Sequence, residues 1–133
     1  MAIIYTTRKR AQPGVKGGGN MKYYADIVIQ GVDKIDDFIK DIEKSTSLTE
    51  PDVVGVLSAV KYQIKKRLAC SRIVKFDDLL TIYPYIHSTG SDIESDVKVS
   101  NIISTDIRIT SDRKLVEYLQ AVPYEKAKKI IYL

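Results

Sequence analysis

The sequence predicts a mixed α+β domain, and two kinds of segment support this. Residues 32–68 contain two runs in which apolar side chains recur at helical spacing, separated by a short polar break. Short β-branched or alternating runs lie on both sides of this pair, at residues 2–7, 21–30, 72–76, 81–87 and 102–110. We therefore expect a helix hairpin combined with β-sheet.

The two predicted helices both begin with a capping signature. Asp33 precedes the first helix and Asp36 supplies the acid of a capping box, and Thr49 and Asp52 do the same for the second helix. The apolar stripe of the second helix comprises Val53, Val56, Leu57, Val60, Ile64 and Leu68. Since this stripe, widened by Tyr62, is broader than one short helix can cover, we expect either the downstream sheet or a second copy of the chain to cover it.

Composition is that of an ordinary soluble globular protein, and no acid/base pair, metal cluster or nucleophile stands out in the sequence. A chain of 133 residues with 44% apolar and 29% charged side chains suits one domain, and no apolar run approaches the ~20 residues of a membrane span. Residues 2–5 are too short for a signal-peptide core, so we expect a cytoplasmic protein without a membrane partner. Cys70 is the only cysteine and His87 the only histidine. We therefore expect no metal, no cofactor, no small-molecule substrate and no catalysis.

The net charge of +4 is distributed unevenly along the chain. Residues 1–24 carry no acid and contain the cations Arg8, Lys9, Arg10, Lys16 and Lys22. Because Pro13 and several glycines accompany them, residues 8–20 are predicted to form a flexible loop or arm. Such a segment either makes salt-sensitive contacts with phosphates or serves as a solubilising loop, and the sequence leaves both open.

The second half of the chain predicts a β-meander, a third helix and a final strand. Residues 72–76 and 81–87 read as strands joined at Asp77 and Asp78, with further strand at residues 97–99 and 102–110. Pro84 between two tyrosines indicates an edge strand. Ser111 is expected to cap the third helix, and residues 124–133 to form a strand that pairs with the strand at residues 2–7 or at 21–30.

This order of elements resembles the bacterial histone-like family of HU and integration host factor. The resemblance covers residues 35–119. It is carried by residues 48–53 at the helix junction, 73–76 as the first strand, 79–82 where the family has a Phe-Gly-Thr-Phe turn, and 107–109 leading to Lys114 and Leu115. The additional N-terminal strands are similar to the extended branch of this family, HU-HIG.

The resemblance implies an HU-like α+β fold: a helix hairpin, an antiparallel three-stranded sheet with a β-arm, and a short C-terminal helix. It also implies an intertwined homodimer. We expect N-terminal strands and a basic glycine-rich loop at residues 1–31, a DNA-binding and dimerisation domain at 32–121, and a C-terminal strand at 122–133. The expected dimer interface comprises Phe38, Val53, Val56, Leu57, Val60 and Ile64.

The function implied is that of a nucleoid-associated protein that binds duplex DNA through phosphates and without sequence preference. The expected DNA-binding residues are Arg8, Lys9, Arg10, Lys75, Lys98, Arg108, Arg113 and Lys114. Between His87 and Ile107, however, the arm has no proline to wedge between base steps, and it carries Asp92, Glu94 and Asp96. The alternative is therefore an HU-fold dimerisation or scaffold module that has lost DNA binding.

Overall fold

The computed structural model describes residues 1–128 and confirms the predicted α+β class. Among the described residues, 1–33 and 118–128 form one compact unit, and residues 34–117 form another. In chain order the helices and strands are β1 (Ile3–Arg10), β2 (Lys22–Ile27), α1 (Ile35–Ser45), α2 (Glu50–Ala69), β3 (Val74–Phe76), β4 (Leu80–Ser88), β5 (Ile102–Ser111), α3 (Arg113–Gln120) and β6 (Tyr124–Lys126).

The first unit contains a three-stranded sheet in the order β2-β1-β6. Strand β2 pairs with β1 antiparallel, and β6 pairs with β1 parallel over Ile3 to Tyr5. The final strand therefore pairs with the first strand, one of the two partners expected, and the Ala127 N–H continues the pairing by donating to the Tyr5 carbonyl (2.9 Å). Residues 129–133, expected to belong to this strand, lie outside the described residues.

Strand β1 extends further than predicted, because Arg8, Lys9 and Arg10 belong to it rather than to a flexible loop. Their charges are accommodated across the hairpin by side chains of β2, as described below. The loop that follows is closed by hydrogen bonds from the Gln12 N–H to the Gly18 carbonyl (2.8 Å) and from the Gly18 N–H to the Val15 carbonyl (3.0 Å). Gly18 has a φ of +85°, a left-handed conformation that favours glycine.

The helix starts differ slightly from expectation. Helix α1 is preceded by Lys34, whose backbone N–H donates to Asp37 (2.9 Å), so the capping acid is Asp37 rather than Asp36. Helix α2 begins as predicted. The Thr49 hydroxyl (2.7 Å) and backbone N–H (3.2 Å) both donate to the Asp52 carboxylate, and these two hydrogen bonds lower the pKa of Asp52. Cys70 follows α2 and its thiol-bearing side chain is exposed.

The second unit contains an antiparallel sheet in the order β3-β4-β5. Strand β4 is therefore central where β3 pairs with it, at Leu80 to Ile82. Around Pro84 it lies at an edge, as predicted, because β3 reaches only to the position opposite Ile82 and β4 pairs there with β5 alone. The predicted strand at residues 97–99 is absent. Two 3₁₀ turns, Glu94–Asp96 and Val99–Asn101, stand at the tip of the two-stranded ribbon that β4 and β5 form.

The apolar core of the described chain is small. Helix α1 packs against α2, and α2 contacts β3. Within residues 1–128 the buried apolar side chains are Ile39, Val53, Val74 and Ile82, each with 3–9% of its surface still exposed. All four belong to the second unit, where they join the helix hairpin to one face of the sheet.

Candidate nucleic-acid interface

One face of the second sheet carries polar and aromatic side chains, while the other carries the buried Val74 and Ile82. Side chains alternate between the faces of a strand, and the register places Lys75 opposite Thr81, and Tyr83 opposite Arg108. We call this polar side the outer face. Its members are Lys75, Thr81, Tyr83, Tyr85, His87, Ser104, Asp106, Arg108 and Thr110, of which Asp106 is the one acid.

The outer face contains an open groove of about 590 Å³. Tyr83 and Tyr85 line it from β4, and Arg108 and Thr110 line it from β5. The ring of His87 stands against that of Tyr85 in an edge-to-face arrangement, with centroids 5.0 Å apart. A groove lined by aromatic rings and an arginine suits a sugar-phosphate backbone, because the guanidinium binds phosphate while the rings contact the sugars.

Two further cations stand where α3 begins, at the end of the sheet that also holds the β3–β4 turn. Arg113 pairs with Glu117 (2.8 Å) and Lys114 pairs with Asp78 (3.0 Å), and all four side chains are exposed. Asp112, rather than the predicted Ser111, accepts a hydrogen bond from the Lys114 N–H (2.9 Å) at this helix start. Exposed ion pairs of this kind contribute little to stability, so both cations remain able to bind a phosphate.

The tip of the β4–β5 ribbon has a different character. Asn101 organises it by accepting a hydrogen bond from the Lys98 N–H (2.8 Å) and donating one to Thr89 (3.1 Å). Lys98 is exposed, but Asp92, Glu94 and Asp96 are exposed around the same turns. The acidic charge that the sequence indicated is therefore solvent-accessible in the folded chain.

The remaining predicted cations lie in the first unit, on the hairpin of β1 and β2. Arg8 pairs with Asp26 (3.4 Å), the Lys9 ammonium lies 5.9 Å from the centre of the Tyr23 ring, and the Arg10 guanidinium lies 5.6 Å from that of Tyr24. Cations at this distance from an aromatic face are attracted to it. The hairpin thus holds three consecutive cations in defined positions.

Comparison with known sequence families identifies the chain. A sequence model described as "HU domain fused to wHTH, Ig, or Glycine-rich motif" matches residues 1–126. The chain belongs to the HU-HIG family. The resemblance drawn from the order of helices and strands is thereby confirmed. A comparison with curated protein sequences gave no significant match.

Among solved structures, this HU-HIG chain is similar to a candidate bacterial DNA-binding protein from Bacteroides vulgatus ATCC 8482. The TM-score is 0.64 and the sequence identity 7%, and the match covers 95% of this chain but 49% of the other. The chain thus spans about half the length of that protein. At this level of identity the similarity concerns the fold alone.

The predicted interface residues of this HU-HIG chain differ in exposure. Phe38 and Val56 are 53% and 56% exposed, and Val60 is also exposed. Leu57 and Ile64 are half-buried, whereas Val53 is 3% exposed because it packs within the chain's own core. Two strand residues that sequence analysis did not select, Ile107 and Ile109, are 48% and 57% exposed, although the register puts them beside buried Ile82.

The structure thus groups some predicted DNA-binding residues and separates others. Lys75 and Arg108 share the outer face, whereas Lys98 stands at the acidic tip and Arg8 to Arg10 belong to the first unit. Sequence analysis missed Thr81, Thr110 and His87, and treated the two tyrosines as an edge strand. The alternation of residues 81, 83, 85 and 87 was the signal that places them on one face.

Other kinds of site find no support in the described residues. Residues 1–128 contain no group of three or more His, Cys, Asp or Glu side chains arranged to hold a metal ion. In the same part of the chain, no helix has the length and apolar character needed to cross a membrane.

Proposed function

We propose that this chain is a non-enzymatic, homodimeric module that binds duplex DNA through phosphates and without sequence preference. The observation that carries the proposal is the outer face, where Arg108 lines an open groove together with Tyr83 and Tyr85. Lys75 stands opposite Thr81 on the same face, at the edge strand β3, and the opposite face of the sheet holds the core. Membership of the HU-HIG family and the fold shared with a candidate DNA-binding protein support it. Such a protein would act at the nucleoid.

The contacts proposed are with the DNA backbone rather than the base edges. The centre of the outer face offers short side chains and rings, which suit contact with the backbone rather than with base edges deep in a groove. Arg108, Lys75, Arg113 and Lys114 then act as phosphate ligands. Binding of this type depends strongly on salt and weakly on sequence.

The β4–β5 ribbon is proposed not to intercalate. Its tip, residues 88–101, contains no proline, and its carboxylates repel phosphate. Lys98 is the single cation among these residues. The ribbon therefore adds at most one phosphate contact, and the duplex is held without a sharp wedge-induced kink.

Homodimerisation is proposed because a single chain exposes more surface than a compact protein of its size, and many large apolar side chains are among the exposed ones. The chain exposes 11,617 Å². A compact 15 kDa monomer exposes about 7,000 Å², and about 8,400 Å² would be exposed even if each unit were compact by itself. An apolar groove of about 530 Å³ runs between α2 and β3, lined by Val56, Val60, Ile64, Ile73 and Phe76 among others. A second copy of the chain would fill this groove.

The decisive test is titration of a fluorescent duplex of about 25 base pairs with the full chain at several salt concentrations. The logarithm of the binding constant should fall linearly with the logarithm of the salt concentration, by about 0.9 for each phosphate neutralised. The variant K75Q/R108Q should lower this slope by about 1.8. The control K40Q/K44Q makes the same change of net charge on the exposed surface of α1 and should leave the slope unchanged.

A second candidate function is a dimerisation or scaffold module that does not bind DNA. The exposed acidic tip of the β4–β5 ribbon favours it, since a DNA-gripping arm would be basic there. This candidate predicts no binding of the duplex even at about 50 mM salt, where a phosphate-driven interaction is strong. It also predicts that K75Q/R108Q and the unaltered chain give the same result in the titration, namely no binding of the duplex.

A further inference from the structure

The hairpin of β1 and β2 is a two-stranded ribbon that carries most of the basic charge of the first unit. Strand β6 pairs with β1 only at Ile3, Ile4 and Tyr5, so within the described residues Thr6 to Arg10 pair with β2 alone. We call residues 6–26 the basic hairpin. Five paired residues extend it by about 16 Å at ~3.3 Å per residue. The closed loop at residues 11–21 adds to this length.

Cations stand on both faces and at the end of the basic hairpin. The register puts Arg8, Arg10 and Lys22 on one face and Lys9 on the other, and Lys16 lies in the loop. Asp26 is the only acid before Asp33. It pairs with Arg8, and among the described carboxylates none pairs with the other four cations. Four charges are thus available to an anionic partner without displacing a carboxylate. A phosphate that binds Arg8 must compete with Asp26, whose side chain is less exposed (32%) than those of Glu117 and Asp78 beside Arg113 and Lys114 (55% and 64%).

The two tyrosines of the basic hairpin position cations rather than bases. Tyr23 and Tyr24 each have a cation over one ring face, Lys9 and Arg10 respectively. Interactions of this type fix the direction of long flexible side chains, which lowers the entropy lost when those chains bind phosphate. An arrangement for stacking unpaired bases would instead leave the rings uncovered.

One pair of cations in the basic hairpin destabilises the free protein. Arg10 and Lys22 are direct cross-strand partners on the same face of the hairpin. Like charges in this position destabilise a hairpin, whereas a phosphate between them would attract both. The pair therefore favours the bound state over the free state, as expected of a binding surface and not of a solubilising loop.

We propose that the basic hairpin enters the major groove of duplex DNA and that its cations contact the phosphates on both sides of the groove. This rests on the proposed function, namely that the chain binds DNA. The major groove, about 12 Å wide and 8.5 Å deep, admits a two-stranded ribbon. The basic hairpin is longer than this depth, and its two-sided charge suits the two phosphate chains that border a groove. It thereby supplies the basic ribbon that the acidic β4–β5 tip does not.

The test compares the hairpin with the outer face in the same salt titration. Three full-length proteins are measured on the fluorescent duplex: K9Q/R10Q, K75Q/R108Q and the control K40Q/K44Q, each of which lowers the net charge from +4 to +2. The K9Q/R10Q variant should reduce the salt slope by about 1.8, as two phosphate contacts are lost. An unchanged slope for K9Q/R10Q alongside a reduced slope for K75Q/R108Q would overturn the hairpin proposal and leave the proposed function intact. Absence of binding by the unaltered chain would overturn the proposed function first.

Two further measurements address the groove and the like-charge pair. K9Q/R10Q should lower the affinity for the duplex by a larger factor than the affinity for a single strand of the same sequence. An equal loss of affinity for both would refute insertion into a groove. The variant K22E should bind the duplex at least tenfold more weakly while its melting temperature stays the same or rises, because the introduced carboxylate would attract Arg10. If K22E melted at a lower temperature with unchanged DNA affinity, the cation would have a structural role only.

Discussion

Replacing Val56 with aspartate should separate the proposed dimer. Val56 lies in the apolar groove between α2 and β3 and is 56% exposed in one chain. Full burial of a valine side chain is worth about 1.5–3 kcal/mol, so the exposed half still has about 1 kcal/mol to gain when a partner covers it. In a symmetric dimer each of the two chains loses this burial energy. The total of about 2 kcal/mol corresponds to about a 30-fold weaker association. Burying two carboxylates weakens it further.

Sedimentation equilibrium over a range of protein concentrations measures this association directly. The unaltered chain should sediment at twice the mass of the protomer at micromolar concentration, and V56D should require at least 30-fold more protein to do so. V99D is a suitable control, because Val99 lies in the tip of the β4–β5 ribbon and is 84% exposed there. The reasoning would be refuted if V56D and V99D associated equally well, or if the unaltered chain sedimented as a protomer.

Two other substitutions have expected outcomes. D26N removes the ion pair with Arg8 (3.4 Å) and frees that cation, so it should strengthen DNA binding and raise the salt slope by about 0.9, and weaker binding would contradict the role of the hairpin. D52N removes the carboxylate that accepts two hydrogen bonds from Thr49. Because those bonds lower the pKa of Asp52, their stabilising effect is present above its ordinary value of 3.8 and is lost as the pH falls through the folded-state pKa. Chemical denaturation should therefore show D52N less stable than the unaltered chain at pH 7, with the difference shrinking below about pH 3.8, and a difference independent of pH would contradict this.

Local signals predicted the helix hairpin and the second sheet well. Thr49 and Asp52 define the start of α2 through hydrogen bonds three residues apart, and such short-range chemistry is visible in the sequence. For α1 the predicted cap was Asp33, whereas the observed cap is Lys34. Asp33, Asp36 and Asp37 offered alternative capping acids, and it is Asp37 that accepts the hydrogen bond from the Lys34 N–H. The family assignment depended on the order of these segments rather than on any one motif.

Features that depend on contacts between distant segments were not predictable. Arg8 to Arg10 read as a loop because three cations in a strand have no local stabilisation, and the tyrosines that accommodate them lie on β2. Pro84 indicated an edge position, but the sequence near it does not show that β4 is central at Leu80 to Ile82, where β3 pairs with it. The outer face likewise emerged only when the register placed Arg108 opposite Tyr83.

The position of Cys70 allows the distance between the two chains of the proposed dimer to be measured with a label. It is the only cysteine in the sequence, and its side chain is exposed just beyond the last turn of α2. A spin label or fluorophore attached there marks every chain once. Two labelled chains in a symmetric pair would give a single label-to-label distance, whereas separated chains would give none. The same thiol would report whether that distance changes when DNA is added.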